Sequence, residues 1–426
     1  MKIKTINTTK VLVTAVMAVL LASCAGGGHI AENKPAVYKP MPPKAPMQQP
    51  TNAATTGYTN SFYDWKQDFT RRAIAQGYYA SDVKRLMNMA SLNQKIISND
   101  RNQAEFAKMP WEYLDSATAS TRVNTGKSKF ANNQSTFRAI ESRYGVDAEV
   151  VAAIWGMESS YGGFTGTSNL ASSLATLAYE GRRRDFAEEQ LKALLVLLKR
   201  GDVSWYQMDG SWAGGMGHTQ FIPATWLAHG VDGNLDGQKN PWNSSDALNS
   251  TANYLKNSGW IQGLSPYYEV TLPSGFDYSQ IGSKKTISEW KAQGVNFMSG
   301  YVPQGSMLEL WLPAGKNGPA LLTSKNFDVI KVYNNSSSYA LGVSTLAKKI
   351  VGESAIQKAW PRYEKPLTTA QVKNLQINLT SKGYDTKGAD GIIGTNTRKA
   401  FARWQADNGQ TPDGFITQTS ASPLVW

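Results

Sequence analysis

Residues 153–162 read AIWGMESSYG and place one carboxylate, Glu158, at the end of an apolar run. Val150, Ile154 and Glu158 follow one another at intervals of four residues, so they share one face of an α-helix. An apolar face of this kind is typical of a helix that packs into a core. The pattern predicts a helix over residues 147–158, with Glu158 as the last residue of its inward face.

Apolar surroundings give this carboxyl group a specific chemistry. Burial disfavours the charged form of a carboxylate, so the sequence predicts a raised pKa for Glu158. A carboxyl group that is protonated at neutral pH is what a general acid needs. The same pattern also fits a glutamate at a frayed helix end that points to water, and the stretch alone leaves both interpretations open.

A second carboxylate is the usual partner of such an acid in glycosidases. Glu141, Asp147, Glu180 and Asp185 are candidates, but none has local surroundings like those of Glu158. Asp147 stands at the predicted N-cap of the helix. A single acid suffices where the substrate supplies the nucleophile, as an N-acetyl group can.

The N-terminus indicates an exported protein. Three lysines precede an apolar run over residues 11–21, which is too short to span a bilayer comfortably. The run ends in Leu-Ala-Ser-Cys, and Cys24 is the only cysteine of the chain. The arrangement resembles a bacterial lipoprotein signal, with residues 1–23 cleaved and Cys24 lipidated. The resemblance implies a lipid anchor, and Ala25 after the cysteine implies the periplasmic face of the outer membrane.

Composition excludes several classes of function. The 426-residue chain has a formal net charge of +12, but its basic residues are scattered and only residues 182–184 cluster. No basic stripe of the nucleic-acid-binding kind is present, so we expect no nucleic-acid partner. Three histidines, His29, His218 and His229, argue against a His-rich zinc site. Lipidation of Cys24 leaves no thiol nucleophile.

The sequence divides into four segments, the first of which is the predicted signal over residues 1–23. Residues 24–60 are rich in proline and small residues and predict a disordered tether. Helical periodicity dominates residues 61–358, with short β-rich pieces at 268–272 and 328–333. A Trp-Pro boundary near residue 360 precedes a separate module over residues 367–426.

Several ordered motifs carry a family resemblance. They cover roughly residues 61–357 and resemble the membrane-bound lytic transglycosylase B family. The resemblance implies a mainly α fold, with a lysozyme-like catalytic domain and a small β-containing part. The motifs are AIWGMESSYG at 153–162, SLATLAY at 173–179, SWAGGMG at 211–217, QFIP at 220–223 and ANYL at 252–255.

The resemblance also implies an activity. Members of this family cleave the MurNAc–GlcNAc β-1,4 bond of peptidoglycan without water and leave a 1,6-anhydro-MurNAc end. Glu158 matches the family's catalytic acid, which protonates the glycosidic oxygen and then, as a carboxylate, takes the proton of the MurNAc 6-hydroxyl. No cofactor is needed for this chemistry. Partners among cell-wall synthesis proteins remain open.

Further positions match residues that line the family's cleft. Aromatic faces and amides suit sugars, which offer C–H faces and hydroxyls together. The basic pair at 183–184 matches a basic pair of the family, which would bind a peptide or lactyl carboxylate of the substrate. Core packing is the alternative for each tyrosine, and His218 departs from the residue type usual in the family. The expected substrate-binding residues are Ser211, Gln220, Tyr254, Tyr333, Asn334, Tyr339, Arg183 and Arg184.

A short acidic loop predicts a calcium site. Residues 232–237 read DGNLDG, the start of an EF-hand-like loop, and a glycine permits its sharp turn. The usual glutamate at the twelfth position is absent, and a metal-free Asp/Asn/Gly turn is the alternative. We expect a weakly bound, structural Ca²⁺. The predicted ligands are Asp232, Asn234, Asp236, Gln238 through its carbonyl, and Asp246.

The C-terminal module resembles the small three-helix peptidoglycan-binding domain of wall enzymes. ADGIIG at 389–394 is echoed by PDGFIT at 412–417, and apolar residues at helical spacing precede each. Peptidoglycan is therefore the expected partner, and the module raises the local concentration of the catalytic domain on its polymer.

Three other readings compete with a lytic transglycosylase. A water-using muramidase needs a second placed carboxylate. A non-catalytic peptidoglycan-binding lipoprotein would use the C-terminal module and need no acid. A calcium sensor is the most distant, because a single irregular loop lacks the paired EF-hand arrangement.

Overall fold

A computed structural model describes residues 61–101, 109–298 and 300–425, which belong to one compact unit. The predicted signal peptide, the predicted tether and the predicted lipidation site at Cys24 lie outside the described residues. Within these ranges no helix is long and apolar enough to cross a membrane.

Helices dominate the described residues, which confirms the predicted fold class. The helices are α1 Phe62–Ala75, α2 Ala80–Met89, α3 Gln94–Arg101, α4 Pro110–Ala117, α5 Ser120–Asn132, α6 Gln134–Tyr144, α7 Ala148–Ser159, α8 Leu170–Glu180, α9 Arg184–Arg200, α10 Pro223–His229, α11 Ser244–Asn257, α12 Ile287–Ala292, α13 Lys325–Ile330, α14 Ser337–Val351, α15 Thr369–Ser381, α16 Thr395–Asp407 and α17 Ser422–Val425.

The predicted helix that carries Glu158 is confirmed as α7. It is buried on all sides, whereas the sequence pattern predicted one inward face. Residues 150–156 are all buried, and only Met157 and Glu158 near its end are half-buried. A helix that is apolar all round belongs in the interior of a domain. The half-buried end of α7, with Glu158, therefore lies at the edge of the core.

Asp147 occupies the N-cap position of α7 without capping it through its side chain. Its carboxylate accepts hydrogen bonds from Trp260 Nε1 at 3.2 Å and from the Gly263 backbone N–H at 3.3 Å instead. The side chain thus fixes the start of α7 to the loop after α11.

The β-containing part is one five-stranded antiparallel sheet, in the order β4-β6-β7-β3-β5. In its register Tyr267 lies opposite Thr323, and Trp311 lies opposite Leu321. A separate two-stranded pair joins β1 to β2. The strands are β1 Ser168–Asn169, β2 Asp209–Gly210, β3 Tyr267–Thr271, β4 Lys284–Thr286, β5 Asn296–Phe297, β6 Met307–Trp311 and β7 Ala320–Thr323.

The two predicted β-rich pieces have different outcomes. Residues 268–271 of the first piece fall on β3, which confirms that prediction. The prediction for residues 328–333 was wrong, because α13 runs through residue 330 and a turn follows. Ser324 caps this helix by accepting the Asn326 N–H at 3.1 Å, and a side-chain cap outweighs the β preference of the valines and isoleucine that follow.

Two large apolar clusters form the core of the helical part. The first surrounds α7 and α14 and includes Ile154 and Tyr339. The second surrounds α8 and α9 and includes Leu194 and Tyr254. Tyr333 is half-buried and packs against both, so the turn before α14 lies where the two clusters meet.

The C-terminal module has its own small core around α15, α16 and α17, as the sequence predicts. Leu375 and Leu379 of α15 and Phe401 of α16 are fully buried there. The module also contacts the helical part, where Phe415 lies beside Trp111 of α4.

Candidate active site

Glu158 emerges from the last turn of α7 and meets the first turn of α14. The Tyr339 hydroxyl donates a hydrogen bond of 2.6 Å to Glu158 Oε1. Tyr339 is only 4% exposed, and Ser336 caps its helix by accepting the Tyr339 N–H at 3.3 Å. The acid is therefore held at a fixed position, which contradicts the alternative of a frayed end in water. Its predicted raised pKa stays a prediction.

Tyr333 lies beside the same carboxylate. Its hydroxyl donates to the Thr219 carbonyl at 3.0 Å and pairs with Thr251 Oγ1 at 3.3 Å. Burial raises the pKa of both Tyr333 and Tyr339 well above the ordinary value, and the charge of Glu158 acts in the same direction. Two neutral phenols thus flank Glu158.

Tyr254 supports Tyr333 from behind. Their ring centroids are 5.8 Å apart, and the Tyr254 hydroxyl donates to the Val332 carbonyl at 3.2 Å. Burial raises the pKa of Tyr254 to about 12. With 3% of its surface exposed, Tyr254 packs in the core and orients Tyr333. Asn334 follows in the same turn, and its carbonyl accepts the Ser336 N–H at 2.7 Å.

Ser211 and Gln220 come together around Gly215. Ser211 Oγ accepts the Gly215 N–H at 2.8 Å. A Cβ at Gly215 would lie 2.7 Å from Gln220 Oε1 and 2.9 Å from Ser211 Oγ, so only glycine fits between them. Gln220 Nε2 donates to the Thr165 carbonyl at 3.0 Å, in the loop that follows Glu158. Both predicted residues thus shape the loops beside the acid.

The chain turns sharply directly after Glu158. Ser160 and Tyr161 have φ values of +51° and +60°, which non-glycine residues adopt at a cost of about 1–3 kcal/mol each. Ser159 Oγ holds this turn by donating to the His218 carbonyl at 2.5 Å and accepting the Gly162 N–H at 2.9 Å. Strain fixed by surrounding contacts is typical of functional sites.

The predicted substrate-binding arginines are engaged within the chain. Arg183 Nε lies 3.1 Å from Oδ1 of buried Asp100, and Arg182 pairs with the same carboxylate. Arg184 Nε donates to the Ala178 carbonyl at 3.2 Å. A substrate role for Arg183 and Arg184 stays a prediction.

The acidic loop is closed by hydrogen bonds to its own carboxylates. Asp246 is fully buried, and its two oxygens accept the N–H groups of Gly233 and Asn240, both at 2.8 Å. Burial raises the pKa of Asp246, and the charge of Asp232 acts in the same direction. Asp246 therefore closes the base of the loop through backbone contacts.

The other predicted ligands lie at the loop tip. Asp232 Oδ2 accepts the Gly237 N–H at 2.8 Å, and Asn234 Nδ2 donates to Asp236 Oδ2 at 2.8 Å. Asp236 Oδ1 accepts the Gln238 N–H at 2.9 Å. Among the described residues, no three His, Cys, Asp or Glu side chains form a metal-binding group. Calcium binding therefore stays a prediction.

Comparisons with known proteins identify the family. The transglycosylase SLT domain matches residues 61–348, and a peptidoglycan binding domain matches residues 368–419. The chain belongs to the transglycosylase SLT domain family. Its helical part is a lytic transglycosylase domain, and the predicted combination with a C-terminal peptidoglycan-binding domain is confirmed.

Solved relatives share this fold. The crystal structure of SltB3 from Pseudomonas aeruginosa, in complex with NAG-anhNAM-pentapeptide, is 44% identical with a TM-score of 0.82. The match covers 86% of this chain and 99% of that chain. Soluble lytic transglycosylase SltB1 from Pseudomonas aeruginosa is 26% identical with a TM-score of 0.61, over 67% of this chain and 98% of that chain.

A curated relative is the membrane-bound lytic murein transglycosylase B of Escherichia coli strain K12. It is 31% identical over 215 residues, which are 49% of this chain. The match spans 58% of the length of that relative.

Two of the four candidate second carboxylates are held away from Glu158. Asp147 lies at the opposite end of α7, and Glu180 accepts a hydrogen bond from Arg101 at 3.0 Å. A cavity of about 440 Å³ at the Asp147 end is lined by Glu149 and Glu353, not by Glu158.

Sequence reasoning missed several residues that hold Tyr333 in place near the acid. Thr219, Phe221 and Thr251 contact Tyr333, with the Phe221 ring centroid 5.3 Å away. A signal was present, because Phe221 lies inside the QFIP motif and Thr251 directly precedes ANYL. Their contact with Tyr333 depends on chain segments about a hundred residues apart.

Proposed function

We propose that this chain cleaves the MurNAc–GlcNAc β-1,4 bond of peptidoglycan without water, with Glu158 as the single acid and base. The observation that carries the proposal is the Glu158 carboxyl group, half-buried at the end of a buried helix and held by the Tyr339 hydroxyl at 2.6 Å. A general acid must stand in a fixed position to reach its substrate oxygen.

The mechanism uses this group twice. Glu158 first protonates the glycosidic oxygen, and the 2-acetamido group of MurNAc stabilises the oxocarbenium-like centre. The resulting carboxylate then takes the proton from the MurNAc 6-hydroxyl as that oxygen closes the anhydro ring. Tyr339 would keep one carboxyl oxygen in place through both proton transfers, and Tyr333 and Asn334 would contact the sugar.

The ligand of a relative supports this substrate class. SltB3, at 44% identity, was solved with NAG-anhNAM-pentapeptide, a disaccharide that carries an anhydro sugar and a stem peptide. Tyrosine rings and the polar groups of Ser211 and Gln220 suit a glycan of that kind. The peptidoglycan-binding module would hold the polymer near the cleft.

Digestion of purified sacculi tests the proposal. We expect the wild-type protein to release muropeptides lighter by one water than hydrolysis products, and Glu158→Gln to release none. Glu149→Gln is the matched control, because it makes the same substitution at the other end of α7 and should keep the activity. Products with reducing ends would indicate a muramidase, and sacculus binding without release would indicate a wall-tethering protein.

Membrane attachment is a separate part of the proposal. We infer that Cys24 is lipidated and anchors the chain to the periplasmic face of the outer membrane, which agrees with the membrane-bound name of the Escherichia coli relative. Metabolic labelling with a fatty acid should mark the wild-type protein and not Cys24→Ser. Equal labelling of both would contradict the anchor.

Calcium is proposed as a structural ligand of the 232–246 loop. Asp232, Asn234, Asp236, the Gln238 carbonyl and Asp246 would supply the oxygen ligands that Ca²⁺ prefers. A ligand at a hundred times its Kd adds about 2.7 kcal/mol to the free energy of unfolding. Millimolar Ca²⁺ should therefore raise the Tm of the wild-type protein and not that of Asp236→Asn, and equal Tm shifts would contradict the site.

A further inference from the structure

His218 joins the end of α7 to a distant turn through its ring and its backbone. Its Nδ1 accepts a hydrogen bond from Trp155 Nε1 at 3.1 Å. Its backbone carbonyl accepts from Ser159 Oγ at 2.5 Å, and its N–H donates to the Pro241 carbonyl at 3.0 Å. Trp155 and Ser159 flank Glu158 on the same helix, so both contacts act on the turn that carries the acid.

The ring also packs on the backbone after Glu158. A Cβ at Gly162 would overlap the His218 imidazole, and Gly162 has a φ of +82° that favours glycine. The imidazole centroid lies 5.8 Å from the Trp155 ring at an angle of 64°. The ring therefore fills the space against the strained turn over residues 160–162.

The acceptor role depends on the protonation state of the ring. A neutral imidazole can accept at Nδ1 only when its proton is on Nε2. A protonated imidazole presents N–H groups at both nitrogens, so its Nδ1–H would face the Trp155 N–H and the hydrogen bond would be lost.

The surroundings favour the neutral ring. Burial lowers the pKa of His218 from its ordinary value of 6.5, and the charge of Lys129 acts in the same direction. A hydrogen bond with the Trp242 backbone acts in the opposite direction and raises the pKa. Lys129 Nζ also lies 5.6 Å from the Trp155 ring centroid. The charged groups of the helices packed against residues 217–219 are Glu149 and Glu158 of α7, and Asp246 and Lys256 of α11.

We propose that His218 is a positioning residue that holds the Glu158 end of α7 in its active arrangement only while the imidazole is neutral. The inference rests on the proposed function of Glu158. As pH falls through a midpoint below 6.5, the ring gains a proton, the bond from Trp155 breaks, and kcat falls while KM changes little. Protonation of Glu158 itself favours catalysis at low pH. Protonation of His218 opposes this effect, so kcat declines on the acid side of its pH profile, which we call the acid limb.

Two substitutions separate positioning from simple packing. His218→Gln keeps a side-chain oxygen that can accept from Trp155 at every pH, so its profile should lose the acid limb and retain most of kcat near neutral pH. His218→Phe has no acceptor, so at neutral pH its kcat should be on the order of tenfold below the wild-type value, with little change in KM and without the acid limb. His229→Gln is the matched control and should keep the acid limb.

Histidine ¹⁵N NMR tests the hydrogen bond without any activity. The chain has three histidines, so the signals are few, and His218→Gln assigns the resonance. We expect the Nε2–H tautomer at neutral pH, a midpoint below 6.5, and a shift of that midpoint toward 6.5 in Trp155→Phe.

The outcomes decide between the two proposals. A proton on Nδ1 at neutral pH, or an acid limb that persists in His218→Gln, would overturn the positioning role. If sacculi yield no anhydro products, the proposed function fails, while the NMR titration still reports whether Trp155 donates to His218.

Discussion

Tyr339 is the residue through which the fold controls the candidate acid. Its hydroxyl donates the 2.6 Å hydrogen bond to Glu158 Oε1. A hydrogen bond to a charged group contributes about 1.5–3 kcal/mol, which corresponds to a rate factor of roughly ten to a hundred. Tyr339→Phe should lower kcat by that factor and leave KM almost unchanged, as measured by muropeptide release.

Tyr267→Phe provides the comparison for that variant. Tyr267 is also buried, and its hydroxyl pairs with Thr345 Oγ1 at 3.2 Å, away from Glu158. Both substitutions should cost a similar free energy of unfolding, but only Tyr339→Phe should slow the reaction. A similar loss of kcat in both would mean that the hydroxyl of Tyr339 acts through stability alone.

At the scale of the helix, Glu149 in the first turn of α7 makes the stability of the folded protein depend on pH. Burial raises the pKa of Glu149 to about 7, and the charges of Asp147 and Glu141 act in the same direction. The folded protein therefore holds this proton more tightly than the unfolded chain does. The resulting stability is fully present below the ordinary pKa of 4.5 and is lost as pH rises through about 7.

Glu149→Gln should remove this dependence. The variant should melt above the wild-type protein at pH 8, by roughly 2–4 °C for each kcal/mol gained. Near pH 4.5 the two proteins should melt at nearly the same temperature. Thermal unfolding at both pH values checks this, and an equal shift at both would contradict titration of Glu149.

The repeated motif of the C-terminal module has a structural explanation. Gln376 of α15 accepts the Gly391 N–H at 2.8 Å and donates to Asp390 Oδ1 at 2.9 Å. The second copy, Asp-Gly at 413–414, is held by Gln405 of α16 in the same way. Each buried glutamine thus clasps one Asp-Gly turn to a helix.

Removing one clasp should weaken the module locally. Gln405→Ala leaves the Gly414 N–H and the Asp413 carboxylate without this partner, and an unsatisfied buried group costs about 1–3 kcal/mol. Hydrogen exchange at the Gly414 amide should speed up correspondingly. Gln410→Ala, at an exposed position, should leave exchange unchanged, and the same slow exchange in Gln405→Ala would contradict the clasp.

At the scale of the whole molecule, the wall-binding module is docked on the catalytic domain. Trp111 is 3% exposed, and its ring centroid lies 6.1 Å from that of Trp360 and 6.4 Å from that of Phe415. Asp413 Oδ2 accepts the Lys316 N–H at 3.0 Å across the same contact. The two parts are therefore in contact through an apolar core with a polar rim.

Trp111→Ala should make the catalytic domain and the C-terminal module unfold at different temperatures. Truncating a buried tryptophan costs about 3–5 kcal/mol, and here the loss falls on the contact between domains. Calorimetry should show one transition in the wild-type protein and two in the variant. Tyr363→Ala, at a 69% exposed position of the connecting segment, should keep one transition, and a single transition in Trp111→Ala would show that the contact is not needed for coupling.

The sequence by itself determined the elements whose signals are local. The apolar run before Glu158 specified α7, and helical spacing specified α15 with its buried leucines and α16 with its buried Phe401 and Trp404. The prediction failed at residues 328–333, because β-branched residues resemble a strand while the Ser324 cap and packing decide for α13.

The tertiary structure alone decided how Glu158 is held. Tyr339 is 181 positions away along the chain, and Thr219 and Thr251 reach Tyr333 from two further segments. Family resemblance named Tyr333 and Tyr339, but neither periodicity nor composition encodes which hydroxyl meets which carboxylate. That pairing arises only when α7 and α14 pack against each other in the first apolar cluster, with Tyr333 added where the two clusters meet.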